Sequence, residues 1–368
     1  MAVFDVNPPL RVLIIDDSAV VREILSQSLT ADPRFTLAGA APDPYVAREI
    51  LARKAVDVIT LDLEMPRMDG LTFLRHLMKY FPIPVVVLSS LTDGRNAASL
   101  EALELGALDI IPKPGGSYSV ADSLDLLKEK LLAASQCDFT KIRQQAAFNQ
   151  AQAAKAAQAA QSVHAQKLTT RATLARFAAT NKLIAVGAST GGTIALETLF
   201  RAFTPDAPPT VCVIHMPEKF TATYADRLNS LCAVKVVEAQ DGQMAEPGTV
   251  YLAPGNKHLL IKARGKDYYL KVAEGPKVHH QRPAVDILFR SVAEEAGQNT
   301  AAALLTGMGK DGAAGLLQIK EAGGYTVAQD EATSIVFGMP KEAIALGAAK
   351  DVFPLDKIAP ALLARTRV

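Results

Sequence analysis

The chain has 368 residues, enough for two or three domains with sizeable cores, and its 49% hydrophobic content is that of a soluble globular protein. Lys and Arg number 39 against 38 Asp and Glu, a formal charge of +1, so charge gives no case for nucleic acid or a membrane surface as the main partner. Cys137, Cys212 and Cys232 lack metal-ligand spacing, and the N-terminus lacks a basic start followed by an apolar stretch, which points to reduced thiols in a cytoplasmic protein without membrane insertion.

From Leu10 to about Leu132, short apolar strands alternate with amphipathic helices. The run Leu10–Ile15 ends in Asp16-Asp17, and the helix after it carries Val20, Val21, Ile24, Leu25 and Leu29 at helical spacing. Val56–Leu61 ends in Asp62, and a helix starts at Asp69-Gly70 with Leu71, Phe73, Leu74 and Leu77 apolar. Val85–Leu88 ends in Ser89, the helical run Ala97–Leu105 stops at Gly106, and Asp109–Pro112 ends in Lys113-Pro114. Five strands alternating with helices predict a doubly wound parallel sheet over 1–134. In such a sheet the carboxyl ends of the strands form one rim, where ligands bind. Three carboxylates, a hydroxyl and an ammonium would converge there. Clustered carboxylates repel unless a hard cation sits among them, and Mg²⁺ is the cation suited to one or two carboxylates plus phosphate oxygens. This is the outline of a phosphorylation switch.

Residues 135–180 contain no Gly or Pro, are rich in Ala and Gln, and carry six basic residues against one acidic. Too few large apolar side chains are present to bury a core, so the stretch reads as an exposed, partly helical linker. A second α/β domain is expected over 181–368, with strands at Leu183–Val186, Val211–His215, Val234–Glu238, Val250–Ala253, Leu259–Lys262, Tyr268–Val272, Ala301–Thr306 and Thr326–Gln329. The pair Leu259–Ile261 and Tyr268–Leu270 reads as a β-hairpin inserted in a mostly parallel arrangement.

Gly187-Ala188-Ser189-Thr190-Gly191-Gly192 joins a strand to a helix. Such a turn exposes either a nucleophilic hydroxyl or a cradle for phosphate. A nucleophile needs a base, and among six histidines His215 stands at a strand's carboxyl end. Asp311, in Thr306-Gly307-Met308-Gly309-Lys310-Asp311-Gly312, would orient that imidazole. The same segment also satisfies G-x-G-x-x-G through Gly307, Gly309 and Gly312, with Asp330 about 20 residues on, the outline of a dinucleotide site. That motif comes late in the domain and leaves Ser189, His215 and Asp311 without a role.

The segments around Asp16-Asp17, LDLEMPRMDG, VLSSLT and Lys113-Pro114 resemble response-regulator receiver domains. VGASTGGT, IHMPEKFT, YLAPGNKH, RPAVDILF, LLTGMGKDGAAG and IVFGMPKEAI resemble the catalytic domain of the CheB family of chemotaxis protein-glutamate methylesterases. Together they cover nearly all of the chain except the linker. The resemblance implies Asp62 as phosphoryl acceptor, with Asp16, Asp17 and the Glu64 carbonyl around Mg²⁺, and Ser89 and Lys113 sensing the phosphoryl group. It implies Ser189 as nucleophile, His215 as base, Asp311 as its orienter and the Met308 amide as oxyanion donor, with no cofactor for ester hydrolysis. The substrates would be methylated glutamates on chemoreceptor signalling helices, with receptor glutamines deamidated and a chemotaxis histidine kinase as phosphodonor. Two positions depart from the family pattern. Ile110 stands where receivers often carry an aromatic switch residue, and Gln281-Arg282-Pro283-Ala284 replaces a His-Arg-Pro-Ser segment.

Overall fold

The computed structural model describes residues 8–89, 96–114, 120–138, 141–142 and 181–366. The chain divides into two compact units, Met1–Phe139 and Thr140–Val368.

In the first unit the elements are β1 (Leu10–Ile15), α1 (Ala19–Thr30), β2 (Phe35–Ala41), α2 (Pro44–Arg53), β3 (Val58–Asp62), α3 (Gly70–Tyr80), β4 (Val85–Ser89), α4 (Asn96–Glu104), β5 (Asp109–Pro112) and α5 (Val120–Ser135). The strands form one parallel sheet in the order β2-β1-β3-β4-β5. β3 and β4 are buried at every position, as unbroken apolar runs in a sheet covered on both faces should be. Three helices start where the sequence supplies a side-chain cap: Ser18 Oγ accepts from the Val21 amide, Asp43 from Tyr45 and Val46, and Asp69 from Thr72. β3 begins at Val58, two residues later than the apolar run suggests. The carboxylate of Asp57 is taken by the Arg11 amide and guanidinium, while the Asp57 amide donates to the Arg11 carbonyl (2.9 Å).

The second unit contains β6 (Leu183–Ala188), α6 (Gly192–Arg201), β7 (Thr210–Ile214), α7 (Phe220–Leu231), β8 (Lys235–Glu238), β9 (Thr249–Leu252), β10 (His258–Arg264), β11 (Asp267–Ala273), α8 (Val285–Glu295), a 3₁₀ turn at Gly297–Asn299, β12 (Thr300–Leu304), α9 (Ala313–Glu321), β13 (Tyr325–Gln329), α10 (Met339–Ala345), β14 (Asp351–Phe353) and α11 (Leu355–Thr366). Seven strands pair in the order β14-β13-β12-β6-β7-β9-β8, with every pairing parallel. The hairpin β10-β11 forms its own antiparallel two-stranded sheet. It shares one buried core with the main sheet, in which Leu259, Ile261 and Leu270 lie with Tyr251, Leu288 and Phe289. From β6 the chain moves outward through β7, then returns to place β12 on the other side of β6. The loops after β6 and β12 therefore diverge at a topological switch point, the place where an open α/β sheet opens a crevice.

The terminal elements β14 and α11 were not expected from the sequence. A three-residue edge strand carries too little periodicity to stand out, and α11 contains Pro360. Residues 139–140 and 143–180 of the expected linker lie outside the described residues. Lys141 and Ile142 are described, and they depart from an exposed linker. Ile142 is buried, and Lys141 Nζ donates to the carbonyls of Glu331 (2.6 Å) and Ser334 (3.2 Å) in the loop between β13 and α10.

Candidate active site

On the first unit's rim, β1, β3, β4 and β5 deliver Asp16, Asp62, Ser89 and Lys113 to one place. The Lys113 ammonium lies 2.6 Å from Asp62 Oδ2 and 3.1 Å from Asp16 Oδ2. Ligand oxygens of Asp16, Asp17 and Asp62 all lie within 4.8 Å of one another. Asp16 Oδ2 is buried without an aligned hydrogen-bond donor. Burial pushes the Asp62 carboxyl up to about 6, against the opposing pull of Lys113 and the Glu64 amide, which donates to Asp62 Oδ1 at 3.0 Å. Burial alone would lower the Lys113 ammonium, but Asp62 and Asp16 outweigh it and hold it above the usual lysine value. An under-satisfied acidic cluster of hard oxygens suits a divalent cation such as Mg²⁺. Ser89 is buried at the end of β4, and Ser99 donates its hydroxyl to Ser89 Oγ at 3.0 Å.

On the second unit's rim, Ser189 follows β6, His215 follows β7, and Asp311 lies in the loop after β12. His215 Nδ1 lies 3.1 Å from Ser189 Oγ, and His215 Nε2 lies 2.8 Å from Asp311 Oδ2. All three side chains are buried, with relative exposures of 6% (Ser189), 6% (His215) and 2% (Asp311). Since a carboxylate can only accept, the ring proton belongs on Nε2 and the lone pair on Nδ1, facing the serine hydroxyl. Asp311 is pinned on more than the histidine: Val285 N donates to its Oδ2 (2.7 Å) and Asp286 N to its Oδ1 (2.9 Å). Burial would raise this carboxyl, but the His215 hydrogen bond and charge and the two amides outweigh burial and hold it below the usual range.

Those amides are the first two of α8, whose N-cap residue is Ala284 and has no capping side chain. Asp311 caps the helix from outside it. The exchange is reciprocal, because Asp286 Oδ1 accepts from the Gly315 amide (2.7 Å) in the first turn of α9. Asp286 Oδ2 takes His279 Nε2 at 3.0 Å. The buried carboxylate oxygens of Asp286 and Asp311, with the exposed His279 ring beside them, are already committed to these N–H donors. Sequence reasoning found Asp311 and missed this arrangement. A cap supplied from 25 residues away leaves no local S/T-x-x-E signal.

The turns around the serine explain the glycines. Gly191, the N-cap of α6, has φ +78°, and a Cβ there would stand 2.7 Å from Ile335 Cβ. A Cβ on Gly307 would stand 2.7 Å from Ser189 Cβ and 2.3 Å from Met339 Sδ. Ser189 N donates to Thr306 O (3.0 Å), and the Gly307 carbonyl accepts from Gly338 and Met339, so the loop carrying Met308 is tied to the nucleophile's own backbone. The Met308 amide has no backbone acceptor among the described residues. The dinucleotide outline loses its acidic member here, since the Asp330 carboxylate accepts from the amide and hydroxyl of Thr333 and caps a local turn.

Gln281 and Arg282 lie in the loop that leads into α8, and Gln281 is buried. The Arg282 guanidinium donates to Asn256 Oδ1 and the Gly275 carbonyl, fastening the loop before α8 to the segment that starts β10. Ile110 is buried in β5.

Two family models match the chain: response regulator receiver domain over residues 12–124 and CheB methylesterase over 184–362. A protein-glutamate methylesterase/protein-glutamine glutaminase from Syntrophus aciditrophicus is 47% identical over 351 residues, covering 95% of this chain and 97% of that protein. One of the same description from Anaeromyxobacter dehalogenans is 49% identical over 363 residues, covering 96% of each. The solved CheB methylesterase catalytic domain of Thermotoga maritima aligns with a TM-score of 0.49 at 41% identity, over 50% of this chain and 97% of that one. At this identity over nearly the whole length, and with both domain models matched in order, the chain belongs to the CheB methylesterase family in its receiver-bearing form.

Proposed function

We propose that the chain is a phosphorylation-regulated serine esterase that hydrolyses glutamate methyl esters on chemoreceptor signalling helices, releases methanol, and deamidates receptor glutamines by the same acyl transfer. The observation that carries this reading is the hydrogen-bonded chain from Ser189 Oγ through both nitrogens of His215 to Asp311 at the switch point of a parallel sheet. His215 Nδ1 takes the hydroxyl proton as Ser189 Oγ attacks the ester carbonyl, and the imidazolium is stabilised by Asp311. The developing oxyanion takes the Met308 N–H, a preorganised donor of the kind worth ~10²–10³ in rate. The C–O bond to the methoxy group breaks and the imidazolium proton leaves with it as methanol. Water, deprotonated by His215, then attacks the acyl-serine ester, frees the glutamate carboxyl and restores Ser189. With glutamine the leaving group is ammonia.

Asp62 is the phosphoryl acceptor, Asp16, Asp17 and the Glu64 carbonyl would hold Mg²⁺, and Ser89 and Lys113 read the phosphoryl group. When bound, the cation would supply charge neutralisation for phosphoryl oxygens. Lys113 bridges Asp62 and Asp16 and is placed to follow the added charge. The phosphodonor is a chemotaxis histidine kinase, and the setting is the cytoplasm. No described helix is long and apolar enough to cross a membrane.

The test is methanol release from a methylated chemoreceptor, with and without a small-molecule phosphodonor. Phosphodonor should raise the rate of the intact chain and leave Asp62→Asn at its basal rate. Equal stimulation of both would remove Asp62 from the switch. A folded Ser189→Ala protein that still releases methanol at the normal rate would end the esterase mechanism.

A further inference from the structure

We infer that His258 is a positioning residue for the esterase reaction, acting on Asp311 through the start of α8. The inference rests on the Ser189–His215–Asp311 reading above. His258 opens β10 and is 4% exposed. Both ring nitrogens are committed to backbone: Nε2 lies 2.9 Å from the Pro276 carbonyl, and Nδ1 lies 3.2 Å from the Ala284 amide. A carbonyl can only accept and an amide can only donate, so the ring is the Nε2–H tautomer with its Nδ1 lone pair on Ala284.

Ala284 is the N-cap of α8 and has no side-chain oxygen with which to hold the helix start. Three successive amides there are instead taken by two side chains from elsewhere. Ala284 N goes to His258, Val285 N to Asp311 Oδ2 and Asp286 N to Asp311 Oδ1. Ala284 is extended (φ −114°, ψ 137°) and leads directly into the first helical turn, so the bond from its amide to His258 seats the residue from which the Val285 and Asp286 amides are presented to Asp311. Asp311 in turn aims the His215 ring at Ser189. The 275–276 segment closes over the imidazole, and a Cβ on Gly275 would stand 3.2 Å from the His258 ring. The ring therefore has one seat. His258 touches neither substrate nor the reacting atoms, and its effect belongs in kcat.

Asn and Gln separate its two bonds. His258→Asn keeps an acceptor near the Nδ1 position and loses the donor to Pro276; His258→Gln keeps a donor near Nε2 and loses the acceptor for Ala284. In the full chain, driven by saturating phosphodonor, His258→Gln should lower kcat for methanol release about 10- to 100-fold with KM within about twofold. His258→Asn should stay within about threefold of the unmutated protein. Thermal melting establishes that both variants are folded. A folded His258→Gln protein with unchanged kcat, or a folded His258→Asn protein as impaired as it, overturns the inference. The unmutated protein gives a second measurement, independent of whether any variant folds. Nitrogen-15 spectra of labelled histidines should show His258 as the Nε2–H tautomer, and an Nδ1–H tautomer overturns the inference. Ser189→Ala and Asp311→Ala run alongside: if they keep their activity, the underlying esterase reading fails first. If they are inactive and His258→Gln is fully active, the role of His258 alone fails.

Discussion

The two sheets of this chain present carboxylates at the same topological place, the carboxyl ends of parallel strands, and treat them in opposite ways. In the receiver, Asp16 keeps a buried oxygen without an aligned donor, and burial pushes the Asp62 carboxyl up to about 6. In the catalytic unit, Asp311 accepts from Val285, Asp286 and His215 and sits below the usual carboxylate range. Under the proposed reading, the receiver acids that would take a cation and a phosphoryl group share one ammonium, Lys113, between Asp62 and Asp16. An acid meant to hold an imidazole still is saturated with donors. Burial is common to both sites, so the donors decide the direction of the shift.

The strongest break in this contrast is at the nucleophile. Ser189→Ala should cost methanol release a factor of ~10⁴ or more while the protein stays folded, since the hydroxyl paired with His215 is the group that attacks the ester. Asp311→Asn comes next, with a kcat loss of ~10³–10⁴ from the wrong imidazole tautomer. It should also melt earlier, because both Asp311 oxygens accept amides of α8 and the NH₂ of Asn would face one of those donors, losing a capping bond worth about 1 kcal/mol. If Asp311→Asn were fully active, the saturated carboxylate would be a structural cap only. Gly307→Ala should lower kcat ~10- to 100-fold, since the added methyl meets Ser189 Cβ and Met339 Sδ. Wild-type kcat in that variant would mean that the Met308 loop moves freely.

The smallest effect belongs to the receiver's acid. The Asp62 value is raised in the folded state, so its stabilising contribution is complete below the ordinary value of 3.8 and is lost as the pH rises through about 6. In chelator-treated protein the receiver should therefore gain a few degrees of melting temperature on going from pH 7 to pH 5, and Asp62→Asn should lack this gain. Mg²⁺ added at pH 7 should restore a similar increment through Asp16, Asp17 and Asp62. A gain that is identical in Asp62→Asn would place the titration elsewhere.

How much of this was written in the sequence depends on the range of the interaction. The parallel strands announced themselves as apolar runs ending in Asp16, Asp62, Ser89, Lys113, Ser189 and His215, because both faces of such strands are covered. The helix start at Asp69 was equally visible. Asp311 could be placed on the rim, but its grip on α8 could not, since Ala284 offers no local cap and the carboxylate arrives from another strand's loop. The commitments of His258 were hidden for the same reason: both its partners are main-chain atoms 18 and 26 residues away. The extra edge strand β14 failed for want of length.

Lys141 and Ile142 have a practical consequence for anyone preparing the esterase half alone. A fragment begun at Asn181 would omit a buried isoleucine and an ammonium clamp on the carbonyls of Glu331 and Ser334. Those carbonyls lie just ahead of Val336, which accepts the Gly307 amide beneath the Met308 loop. Such a truncation removes a brace along with the receiver, and its turnover would report both losses at once. Cutting ahead of Thr140 keeps the brace, and comparing the two fragments separates its contribution from that of the regulatory half.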